Sequence, residues 1–122
     1  MSQPFTLYHS DSLGRASNCM YPYAVEVTDA ASLTAAVSFD YVAVEYKNGY
    51  RNNANFIKTN CLMLDCDNDH SEDPVAWITP QVLADSLLGV AFAVHYSRNN
   101  GKPKNGKAAR PKFHVFFPIP EQ

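Results

Sequence analysis

The chain has 122 residues, a formal net charge of −2, and 46% hydrophobic and 18% charged residues. That make-up suits one domain with a real core and excludes a disordered tail, a fibrous repeat or a generally basic nucleic-acid binder. No apolar run approaches the ~20 residues that cross a bilayer, and residues 1–20 lack a signal peptide's basic start and apolar core, so a cytoplasmic protein with no membrane partner is expected.

In chain order, "FTLYHS" (5–10) and "YAVEV" (23–27) read as strands separated by a loop containing Gly14. Thr28 or Asp29 can cap a short helix running to about Val37. "FDYVAVEY" (39–46) is ambiguous between helix and strand, and "KNGYRNNAN" (47–55) is loop-like. "FIKTNCLMLDCD" (56–67) is expected to be a buried strand, at least from Cys61. Because side chains alternate along a strand, Leu62, Leu64 and Cys66 would point one way and Met63, Asp65 and Asp67 the other. The two aspartates would then share a face at a strand end, about 7 Å apart along the backbone.

After a loop at 69–77, Thr79 reads as an N-cap with Pro80 at the first helical position. The helix would run to about Leu88 and close at Gly89. "VAFAVHYS" (90–97) and "KFHVFFPI" (112–119) are strands on either side of an Asn-, Gly- and Lys-rich loop. On the last strand Phe113, Val115 and Phe117 face one side, and Lys112, His114 and Phe116 the other. This strand could pair antiparallel with its predecessor. The expected class is α+β: a mixed or antiparallel sheet flanked by short helices. Cys19, Cys61 and Cys66 are odd in number and lack Cys-x-x-Cys spacing, which argues against both a disulfide framework and structural zinc.

The net charge conceals a division. Residues 65–85 hold Asp65, Asp67, Asp69, Glu72, Asp73 and Asp85, whereas residues 86–120 hold no acid at all. That second stretch carries Arg98, Lys102, Lys104, Lys107, Arg110 and Lys112, six of the ten basic residues. Acids followed by bases suggest a metal site beside a phosphate site, the plainer alternative being a solvated basic loop. Asp-x-Asp at a strand end supplies the oxygen ligands that Mg²⁺ or Mn²⁺ prefer, unless the pair is simply a polar strand terminus.

An EF-hand loop starting at Asp65 matches at three positions but then meets His70 where Gly is needed and Ala76 where Glu is needed. An Asp-x-Asp phosphatase-like hydrolase would need a downstream acid, and nothing acidic follows Asp85 until Glu121. A metal-dependent nucleotidyltransferase also uses the basic half. Its triphosphate needs charge-assisted donors, and Arg110 or Arg98 could grip it bidentately while His114 makes a further phosphate contact.

"LDCDND", followed by "YSRNNGKPKNGKAARPKFHVFFPI", resembles the catalytic domain of archaeo-eukaryotic-type primases, nearest the primase–polymerases of bacteriophages and other mobile elements. The similarity covers about residues 40–119. It implies an RRM-like catalytic core in which Asp65 and Asp67 bind Mg²⁺ or Mn²⁺. His114, Lys104 and Arg110 would contact phosphates, Ser97 and Arg98 would position the nucleotide, and Arg51 would join the nucleotide site. The implied reaction adds nucleoside triphosphates to a 3′-hydroxyl on a single-stranded DNA template. Its partners would be a helicase or the remainder of the same polypeptide.

The family's third motif is a further metal-binding Asp downstream of the His strand, and here no Asp follows Asp85. The resemblance therefore implies the N-terminal part of a larger catalytic domain, or a shortened or degenerate copy, that does not polymerise unaided. Strands missing from such a sheet would leave an edge that favours a homo-oligomer. A non-catalytic nucleic-acid-binding module of the same fold remains the rival.

Overall fold

A computed structural model describes residues 3–122. It is α+β, with small antiparallel sheets and two helices. The chain divides into two compact units, one comprising residues up to Leu62 together with Phe117–Gln122, the other Met63–Phe116.

In the first unit, β1 (Phe5–His9) is flanked by β2 (Tyr23–Val27) and β3 (Tyr41–Val42). β1 and β2 are antiparallel over their whole length, from Phe5↔Val27 to His9↔Tyr23. Phe5, Leu7 and Val27 are fully buried, as expected when alternate residues of a sheet face a core. Helix α1 (Ala30–Val37) packs on both strands and starts at Asp29, whose carboxylate accepts the Ser32 N–H at 2.8 Å. The Ser32 hydroxyl oxygen accepts the Asp29 N–H in return, which completes a capping box.

The ambiguous 39–46 stretch resolves into β3 and β4 (Glu45–Tyr46), and β4 pairs with β5 (Phe56–Lys58) in a separate antiparallel ribbon. The single strand expected over 56–67 is therefore broken at Thr59–Asn60. There the Thr59 hydroxyl donates to the Ala43 carbonyl (2.6 Å) and accepts the Cys61 N–H (3.2 Å), while the Asn60 side chain accepts the Thr6 N–H (2.8 Å). Side-chain bonds of this kind compete with a continuous ladder.

The third sheet consists of β6 (Cys61–Cys66), β7 (Ala93–Tyr96) and β8 (Phe113–Pro118), in the order β6-β8-β7. β7 and β8 are antiparallel, with His95 opposite His114 and Tyr96 opposite Phe113. Helix α2 (Pro80–Ser86) starts at Thr79, whose hydroxyl accepts the Val82 N–H at 3.1 Å. It ends two residues earlier than the sequence suggests, because Leu87 leaves helical geometry and Gly89 turns at φ +80°.

Phe113, Val115 and Phe116 are the buried apolar residues of this sheet within the second unit. The expectation that β6 is buried is corrected: Leu62 and Leu64 are each 48% exposed. β6 is an edge strand, and its alternating pattern marks a face without supplying a layer to cover it.

Candidate acid–base cleft

The site is built at the end of β6. Asp65 is the last acid on the strand, and Asp67 follows it into a turn where its carboxylate accepts the Asp69 N–H at 3.1 Å. Asn68, between them, has φ +57°, a left-handed conformation that Asn tolerates better than most residues. Its side chain is 2% exposed and fully used. The amide N–H groups donate to the carbonyls of Ile78 (2.8 Å) and Pro111 (2.9 Å), and the amide oxygen accepts the Ile78 N–H (2.7 Å).

Arg110 fixes the same turn from the other side of the basic loop. Its guanidinium is completely enclosed and donates to the carbonyls of Asn68 (2.9 Å), Ser71 (3.0 Å) and Ala108 (3.0 Å), with Glu72 at 2.7 Å. It also lies 5.4 Å from the centre of the Trp77 ring. The hydrogen bond from Arg110 holds the Glu72 carboxyl below its usual range.

Around this frame opens a cleft of about 250 Å³. Asp65, Asp67 and Asp69 line it together with Lys104, Lys107 and Lys112, and Ser97, Asn99, Asn105 and His114 complete the wall. His114 Nε2 is 3.7 Å from the Asp65 carboxylate, which makes an ion pair when the imidazole is protonated. Asp69 lies 3.5 Å from Lys112 Nζ and 3.9 Å from both Lys107 Nζ and Arg110. Burial alone would raise the Asp69 pKa, but these cations outweigh it and hold the carboxyl below its ordinary value. Ser97 is tied into the wall, its backbone N–H donating to the Lys112 carbonyl (2.9 Å) and its hydroxyl to the same oxygen (3.1 Å). On β7, directly opposite His114, burial and that neighbour lower the pKa of His95.

Five of the residues expected from the sequence thus share one cleft: Asp65, Asp67, Ser97, Lys104 and His114. Arg98 is exposed and outside its lining. Arg110 is not free to grip a phosphate, because carbonyls and Glu72 occupy its guanidinium. Arg51 belongs to the first unit, where it lies 5.5 Å from the centre of the Tyr21 ring.

Sequence reasoning counted Asp69 among the acids and Lys107 and Lys112 among the bases without giving any of them its own role in the site, did not single out Asn99 or Asn105, and gave Asn68 no role. Lys112 carried a legible signal, since it shares a strand face with His114; Asn68 shows only as the residue between two aspartates.

As donors for a cation, Asp65 and Asp67 offer hard oxygens. No cluster of three His, Cys, Asp or Glu side chains placed to hold a metal occurs among the described residues. Two carboxylates suit a hydrated Mg²⁺ or Mn²⁺ that takes its remaining ligands from water and a bound phosphate. No helix among the described residues is long and apolar enough to cross a membrane. Set against protein-family models, curated proteins and solved structures, the chain matches none of them.

Proposed function

We propose that the cleft is a metal-assisted nucleotidyl-transfer site of the primase–polymerase type, which accepts a nucleoside triphosphate for addition to a 3′-hydroxyl on a single-stranded DNA template. The observation that carries this reading is the charge balance of the lining, three lysines against three aspartates. A net-neutral wall attracts a polyanion weakly by itself, and a divalent ion bound at Asp65 and Asp67 would tip that balance toward the triphosphate.

Mg²⁺ or Mn²⁺, when bound, would supply charge stabilisation at the reacting phosphate and lower the pKa of the attacking hydroxyl. The chain's own residues do the rest. Lys104 offers an exposed cation to the phosphates, and Lys107 and Lys112 hold Asp69 ionised while presenting their remaining N–H donors. His114, fixed mid-strand, donates to a phosphate oxygen in its protonated form and is kept in place by Asp65.

A second reading, a phosphate-binding module without catalysis, is favoured by the absence of a third metal-ligating side chain among the described residues. Titration calorimetry of a nucleoside triphosphate with Mn²⁺, then with EDTA, separates the two. Under nucleotidyl transfer, binding needs Mn²⁺ and is abolished in Asp65→Asn, whereas Lys102→Ala, outside the cleft lining, only weakens it. Equal losses in the two variants refute the role of Asp65. Binding indifferent to Mn²⁺ and strongly salt-dependent supports the second reading. Hydrolysis of a phosphomonoester without template points instead to an Asp-x-Asp hydrolase.

A further inference from the structure

A second concavity in the Met63–Phe116 unit, about 400 Å³, has two aromatic walls, Trp77 and Tyr96. Both rings are already fixed. The Trp77 indole N–H donates to the Ser71 carbonyl at 2.8 Å, and Arg110 packs 5.4 Å from the ring centre. Tyr96 is braced edge-on by Phe113, with ring centres 6.0 Å apart, yet it remains 51% exposed. Flat rings held in advance lose little freedom when another flat group stacks on them.

The charges around the groove select its occupant. Asn100 and Gly101 form part of its wall, and their chain neighbours include exposed Arg98 and Lys102. Between residues 86 and 120 there is no carboxylate to repel an anion, and Glu72, bonded at 2.7 Å to the groove-lining Arg110, has its charge met by that guanidinium. The same loop supplies Lys104 and Lys107 to the acid–base cleft. We infer that this groove stacks the bases of a single-stranded nucleic acid, whose phosphates run along the basic loop. Aromatic platforms combined with a basic track hold single strands without reading their sequence. The inference extends the nucleotidyl-transfer reading by giving a template strand a place to lie, but the groove is a separate site with its own ligand.

Trp77 is the chain's single tryptophan, so its emission reports on the groove. A short oligothymidylate is titrated into the full chain while that emission is followed, beside an abasic sugar-phosphate oligomer of equal length. Stacking quenches Trp77 with the oligothymidylate and not with the abasic oligomer. Tyr96→Leu, which keeps apolar bulk but loses the flat ring, weakens binding about 10-fold or more, and Tyr96→Phe retains it.

Triphosphate binding with Mn²⁺ is unchanged in Tyr96→Leu, and Asp65→Asn leaves the oligonucleotide quench intact. The two sites therefore fail separately. Loss of triphosphate binding with a persisting quench removes the cleft's proposed function and leaves the groove. Oligonucleotide binding without a Trp77 response, equal affinity in Tyr96→Leu, no binding at all, or quenching by a proline-rich peptide in place of the oligonucleotide overturns the inference.

Discussion

Arg110→Met separates a structural guanidinium from a ligand-gripping one. The variant keeps an unbranched apolar stem but removes the donors now given to the carbonyls of Asn68 and Ser71. Each carbonyl left without a partner costs about 1–3 kcal/mol. Losing the contact with the Trp77 ring adds about 0.5–2 kcal/mol. The pair with Glu72 adds little, because that carboxylate is 62% exposed. Methionine escapes the cost of burying a charge, which offsets part of the loss, so the net destabilisation should be about 3 kcal/mol. For a small domain that is a large share of the roughly 5–15 kcal/mol available. Urea unfolding, followed by far-ultraviolet circular dichroism and Trp77 emission, measures it, with Arg98→Met as an exposed control expected to shift stability by less than about 0.5 kcal/mol. A loss under about 1 kcal/mol in Arg110→Met, joined to weaker triphosphate binding, would refute the structural role and return this arginine to the ligand.

Two further outcomes rest on the same unit. Asn68→Ala and Asn68→Gly both lose the bonds to Ile78 and Pro111, but only alanine meets a steric penalty at φ +57°. Asn68→Ala should therefore be the less stable of the two by about 1 kcal/mol in urea melts, and equal stabilities would show that the left-handed turn is not maintained. The pKa of His95 is held below 6.5 by burial and by His114, so the unfolded chain takes up a proton at higher pH than the folded one. Its contribution is complete above about pH 6.5 and is lost as pH falls through the depressed folded value. The urea midpoint should accordingly drop between about pH 7 and about pH 5, with a flatter slope in His95→Leu; the same slope in both proteins would contradict the assignment.

What could be read from the sequence was local. Asp29 and Ser32 lie three residues apart and cap α1 between themselves, and the Thr79–Pro80 start of α2 is equally self-contained. The Ala93–Tyr96 and Phe113–Pro118 strands emerged from their apolar alternation, and their antiparallel pairing followed from their order. Arg98 and Arg110 look alike in a basic loop; what separates them is a set of carbonyls at Asn68 and Ser71 that no nearby residue announces. The exposure of Leu64 was hidden for a related reason. Alternation tells which residues share a face, whereas burial depends on a layer contributed by some other part of the chain.

The bond from Arg110 to the Asn68 carbonyl spans 42 residues of chain. Closing a flexible loop of that length costs on the order of 3 kcal/mol of chain entropy before any contact across it forms. The left-handed turn at Asn68 is locally unfavourable, and its stabilising partners, Ile78, Arg110 and Pro111, all lie downstream. An emerging or partly folded chain thus gains little by shaping the acidic turn early. The expected consequence is that acids and lysines come together late in folding, after the loop between Asn68 and Arg110 has closed.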